Sequence, residues 1–67
     1  MRSVLVTPLL PPFDGAVVFF DFEGGGTLAV SRDDGERIAA LLNNSPEGRE
    51  ITMVAVGDKV KVEVVLQ

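Results

Sequence analysis

The sequence contains no cysteine, histidine, tryptophan or tyrosine. Without cysteine no disulfide can form, although a chain of 67 residues buries little surface and needs extra stabilisation or a partner. The absence of histidine and cysteine excludes Ser-His and Cys-His catalysis and most zinc and haem sites. The remaining acids, hydroxyls and lysines show no base, nucleophile and orienting group at a recognisable spacing. We therefore expect a protein that is not an enzyme and that binds no cofactor or metal.

Basic residues are few, since six lysines and arginines stand against ten acidic residues and the net charge is −4. Such a chain repels nucleic acid overall. Its hydrophobic content of 46% predicts a folded globule, and no apolar run approaches the roughly 18 residues of a membrane span. Pro8, Pro11 and Pro12 interrupt the apolar start, which favours a first strand over a signal peptide. We expect one cytoplasmic domain over residues 1–67, without a membrane partner.

The residue pattern predicts an α+β domain with the order β-β-β-α-β-β. A mainly antiparallel sheet would carry the single helix on one of its faces. The first strand is expected over residues 3–7, and a proline-stiffened connection follows over residues 8–13. The second strand is expected over residues 16–23. This first strand could pair within its own chain or cross to a neighbouring subunit.

The helix is expected over residues 33–43. Asp33 can cap its start, with Ser31 as the competing cap, and Pro46 prevents its continuation. Asn43 or Asn44 would end it in the left-handed conformation that asparagine tolerates. Its apolar stripe consists of Ile38, Leu41 and Leu42. Gly35 lies on the same side, where a missing side chain would let the helix approach the sheet closely.

Two hairpins are predicted from the alternation of apolar and polar residues. A three-residue loop over residues 24–26 would place Glu23 opposite Thr27 and Phe20 opposite Val30. A two-residue loop at 57–58, with glycine first as a type II′ turn prefers, would place Val56 opposite Lys59. Ten large apolar residues then share the inner face: Val18, Phe20, Phe22, Leu28, Val30, Ile51, Met53, Val60, Val62 and Val64.

This inner face is larger than one helix can cover, because five strands span about 24 Å and a helix is about 10 Å wide. The opposite face carries a second apolar set, which forms the candidate interface: Val17, Phe19, Val54, Val56 and Val65. A curled barrel or an N-terminal arm folded over that face would bury these apolar side chains within one chain. Otherwise we expect self-association through this second face or through a strand edge, with a symmetric dimer favoured, or binding of a different protein.

A second functional class is a small regulator that binds nucleic acid or another anion. The candidate contacts are Arg32, Arg37, Arg49, Lys59 and Lys61. The order of elements is similar to that of small antitoxin-like and regulatory domains, which is an analogy of architecture alone. The arginines are scattered, and lysines on an edge strand usually protect it from unwanted pairing. Nucleic acid is therefore not the expected partner.

Overall fold

The computed structural model describes residues 2–22, 26–45 and 49–66 and has the predicted order of elements. The strands are β1 (Arg2–Val6), β2 (Val17–Asp21), β3 (Thr27–Ser31), β4 (Arg49–Val56) and β5 (Lys59–Leu66), and the helix α1 spans Arg32–Asn43. All strand pairs are antiparallel, which confirms the α+β class with one helix. The predictions made for Glu23, for residues 24–25 and for Pro46 lie outside the described residues.

The described strands form two sheets, whereas the sequence analysis expected one. A three-stranded sheet has the order β1-β5-β4, and β2 and β3 form a two-stranded sheet. The first strand therefore pairs within its own chain, on β5. The helix α1 contacts β1 and β5 of the first sheet and both strands of the second. Because the strands are divided in this way, one narrow helix can contact two small sheets.

One apolar core lies between α1 and the two sheets. Its buried members are Val6, Leu28, Val30, Ile38, Leu41, Val62 and Val64. The ten residues predicted for the inner face all belong to this core or pack against it.

The hairpin of β4 and β5 has the predicted register. Val56 pairs with Lys59, and Val54 pairs with Lys61. Gly57 has a φ of +62°, and no described residue other than glycine has a positive φ. A positive φ at the first central residue alone is the pattern of a type II′ turn, as expected.

The register of β2 and β3 differs by two residues from the prediction. Phe20 pairs with Leu28, whereas the prediction placed it opposite Val30. The Phe22 N–H donates to the Gly26 carbonyl oxygen at 3.1 Å. The hairpin therefore closes with Phe22 opposite Gly26, and the three positions between them are displaced by one residue towards the N-terminus from the predicted loop over residues 24–26. Because side chains alternate with a period of two, this shift leaves every side chain on its predicted face.

The helix α1 begins one residue before the predicted start and uses the competing cap. The Ser31 hydroxyl accepts a hydrogen bond from the Asp34 N–H at 3.3 Å. Asn44 caps the other end with a φ of −94°, so the expected left-handed stop is not used. A Cβ atom at Gly35 would lie 3.0 Å from the Val18 Cβ. This contact confirms that glycine allows the start of α1 to approach a sheet closely.

Candidate interaction edge

The edges of the two sheets are candidate binding sites, because an edge strand presents unpaired N–H and C=O groups. The outer edge of β1 is covered by α1 at its C-terminal end, at Leu5 and at Thr7, which follows the strand. Arg37 Nη1 donates to the Leu5 carbonyl oxygen at 2.8 Å, and the Thr7 N–H donates to Asp34 Oδ2 at 3.2 Å. Arg37 and Asp34 also form an ion pair at 3.3 Å. Two helical side chains thus supply the acceptor and the donor that a neighbouring strand would supply.

Because Asp34 bonds to this edge, we expect its substitution to destabilise the protein more than substitution of the neighbouring Asp33 does. Asp33 and Asp34 both lie in the first turn of α1, where a negative charge favours the helix. We expect Asp34→Ala to lower the free energy of unfolding by about 1 kcal/mol more than Asp33→Ala does, since it also removes the bonds to Thr7 and Arg37. Chemical denaturation of both variants measures the difference. Equal losses would show that Asp34 contributes through the helix alone.

The edge of β3 is partly covered by the connection between β1 and β2. The Leu9 N–H donates to the Ala29 carbonyl oxygen at 2.8 Å, on the side of β3 away from β2. Further along this connection, Phe13 packs edge-to-face on Phe19, with ring centroids 5.6 Å apart. An N-terminal segment folded over the apolar residues was one of the expected alternatives, and it accounts for part of this surface. Phe19 remains 58% exposed.

The outer edge of β4 is the longest uncovered edge. The strand has eight residues, and within residues 2–22, 26–45 and 49–66 no hydrogen bond outside the β4–β5 ladder reaches it. A two-residue loop makes Val56 and Lys59 a hydrogen-bonded pair, and such pairs alternate along the ladder. The N–H and C=O groups of Ile51, Met53 and Ala55 therefore point away from β5.

The composition of β4 offers little protection against pairing with another strand. Residues 51–56 carry no charge, proline or glycine, and β4 pairs with β5 without a bulge. Charged side chains, proline and bulges are the usual devices that protect an edge. The sequence predicted association through a sheet face or a strand edge, but it did not identify β4 as the edge strand. The uncharged run was the available signal, but it becomes informative only once β4 is known to be outermost.

The structure separates the five candidate interface residues between the two sheets. Val17 and Phe19 lie on β2, whereas Val54, Val56 and Val65 lie on β4 and β5. The single apolar face expected from the sequence is therefore not formed. Val54 and Val56 are 41% and 44% exposed.

Charged residues of β5 divide the outer face of the three-stranded sheet. Lys61 pairs with Leu5 on one side and with Val54 on the other, so it stands between two exposed apolar residues. Its Nζ lies 2.9 Å from Glu63 Oε1. An apolar patch interrupted in this way is a poorer docking surface than the adjacent edge of β4.

The candidate anion contacts lie on different elements, and the four whose side chains the structure describes have partners within the chain. Arg32 pairs with Glu36 at 3.6 Å, and Arg37 contacts Asp34 and β1 as described. Lys59 Nζ donates to Thr7 Oγ1 at 2.9 Å. Arg49 begins β4, and the description does not extend to its side chain. Lys59 and Lys61 share the outer face of β5, while Arg32 and Arg37 belong to α1.

Among the described residues, no helix is long and apolar enough to cross a membrane. The same residues contain no group of three or more acids that could hold a metal ion. Fold and edge together define a small α+β domain in which the eight-residue strand β4 has no partner on its outer edge among the described residues. Comparison of the chain with protein-family models, curated proteins and solved structures gives no match in any of the three.

Proposed function

We propose that this protein is a non-enzymatic interaction module that self-associates by pairing the outer edge of β4 with the same edge of a second copy. The contrast between the sheet edges carries the proposal. Asp34 and Arg37 bond to the C-terminal end of the β1 edge, and Leu9 bonds to the edge of β3, whereas no hydrogen bond from the described part of the chain reaches the outer edge of β4. An uncovered edge is a template for a further strand. The proposal keeps the cytoplasmic location expected from the sequence.

The covered edge of β1 supports a dimer rather than a longer assembly. Pairing β4 with its copy would join two three-stranded sheets into one six-stranded sheet. The two outermost strands would then be the two copies of β1, each covered by its own helix α1. A two-fold arrangement that uses the same edge of both copies closes on itself. Association therefore stops at two chains.

The edge of β2 is the other candidate for pairing with a second copy, and it is less suited to such pairing than the edge of β4. It has five residues, compared with eight in β4, and it ends at Asp21. Its central residue Phe19 already packs on Phe13. The nucleic-acid or anion-binding alternative has no supporting geometry, since the described candidate cations contact groups of their own chain.

The proposal is tested by two lysine substitutions that differ in the edge they alter. Thr52 on β4 and Ser3 on β1 both pair with Glu63 of β5, from opposite sides. Thr52→Lys and Ser3→Lys thus add the same charge beside the same acid. We expect Thr52→Lys to weaken dimerisation at least about tenfold, because a charged side chain on an edge strand opposes its pairing with another strand, and Ser3→Lys to leave it unchanged.

Absolute mass by light scattering, over a concentration series at two salt levels, is the measurement. The wild-type dimer should be nearly insensitive to salt, because backbone hydrogen bonds and apolar contacts hold it. A monomer at every concentration would refute the proposal. If Phe19→Lys dissociates the dimer and Thr52→Lys does not, the interface lies on β2 and the proposal for β4 is wrong.

A further inference from the structure

We infer that the two β4 strands pair antiparallel about a two-fold axis at Thr52, so that Thr52 faces Thr52 of the partner subunit. This inference rests on the proposed self-association and adds the register of the strands to it. Register determines which side chains meet across the axis and which backbone groups find partners.

The backbone pattern of β4 restricts the possible registers. Outward N–H and C=O groups belong to alternate residues, the odd-numbered positions from Arg49 to Ala55. A new antiparallel pair must place these positions opposite one another. A two-fold axis at Thr52 places Arg49 opposite Ala55 and Ile51 opposite Met53. Each pairing occurs twice, so every outward position of the strand is used and about eight hydrogen bonds form.

Neighbouring registers use fewer of these groups. With the axis at Met53, Arg49 would face Gly57, which belongs to the turn and is not part of the strand. With the axis at Val54, Ile51 would face Gly57, and Arg49 would have no outward position opposite it. With the axis at Ile51, Ala55 would face position 47, which precedes the strand. The register centred on Thr52 is therefore the one in which all four outward positions pair.

The side chains of the outer face are compatible with the same register. Thr52 would meet its copy as a pair without backbone hydrogen bonds, in which the two side chains approach closely and threonine pairs are favourable. Glu50 would lie opposite Val54 of the partner subunit. Beside that valine, on the same face, lies the partner's Lys61, as the pairing of Val54 with Lys61 within one chain shows. An acid thus approaches a base, and no like charges stand opposite one another.

The absence of cysteine makes the register directly measurable. In a pair without backbone hydrogen bonds the two Cα atoms are about 4.5 Å apart, within the range that a disulfide spans. Under mild oxidation, we expect Thr52→Cys to form a cross-linked dimer. In the same register two Val54 residues are offset by four positions, or about 13 Å, so Val54→Cys should remain uncross-linked. Ser3→Cys, on the covered edge of β1, is the control for random collision.

Light scattering of each variant under reducing conditions tests the self-association separately from the register. Efficient cross-linking of Thr52→Cys alone, with a reduced mass equal to that of the wild-type dimer, supports the register. A wild-type dimer in which Val54→Cys cross-links instead, or in which neither cysteine does, overturns the register and leaves the self-association intact. A wild-type monomer at every concentration overturns both.

Discussion

Replacement of Ile38 by alanine should lower the free energy of unfolding by about 2–5 kcal/mol. Ile38 is fully buried on α1, the helix that contacts both sheets. Truncation of a buried isoleucine to alanine costs about 2–5 kcal/mol, because apolar surface is lost and a cavity remains. A chain of 67 residues has a total stability of roughly 3–10 kcal/mol. One truncation therefore removes a large part of that stability.

Thermal and chemical denaturation followed by circular dichroism measure this effect. Ile38→Val is the matched control, since it removes one methylene group and should cost about 0.5–1.5 kcal/mol while the fold is kept. A loss below about 1 kcal/mol for Ile38→Ala would contradict the central position of this side chain.

Substitution of Gly35 by alanine should destabilise the protein by about 1–2 kcal/mol, although alanine is the better helix former by about 1 kcal/mol. The reason is the contact between α1 and β2. A new Cβ atom would lie 3.0 Å from both Cβ and Cγ2 of Val18 and 3.2 Å from its Cγ1. One of the two elements must move to accommodate it, and the cost of overpacking exceeds the gain in helix propensity.

A double-mutant cycle identifies the contact that is responsible. Val18→Ala removes both Cγ atoms, so Gly35→Ala should cost about 1 kcal/mol less in that background than in the wild type. Denaturant titration of the four proteins gives the coupling energy. Equal costs in the two backgrounds would show that the Cγ atoms of Val18 are not responsible for the cost of Gly35→Ala, since alanine at position 18 keeps only the Cβ contact.

The two hairpins show which parts of the fold are readable from a sequence. At Gly57 and Asp58 the turn type defines the loop length, and the loop length defines the register of β4 on β5. Between β2 and β3, a run of glycines allows a three-residue loop to start at more than one position, and the predicted register was wrong by two residues. The apolar pattern could not detect this error, because a shift of two residues leaves every side chain on the same face.

The candidate interface residues were likewise predictable in part. The sequence correctly placed Val54 and Lys61 opposite one another on the outer face of the last hairpin. It could not place Phe19 on a different sheet from Val54, because that separation depends on the lateral order of the strands. It also did not identify the cover of β1, which depends on Asp34 and Arg37 reaching a strand that lies far away in the sequence.

The sequence by itself determined the number and order of the elements, the inward and outward faces of the strands and the need for glycine at position 35. These properties are local, since they depend on periodicity and on turn and cap residues within a few positions. The tertiary structure decided that the strands form two sheets, that β1 pairs with β5 and that β4 is outermost. The pairing of Arg2 with Val64 joins residues from opposite ends of the chain. Which strands pair depends on which arrangement buries the shared core best, and no local residue pattern predicts that arrangement.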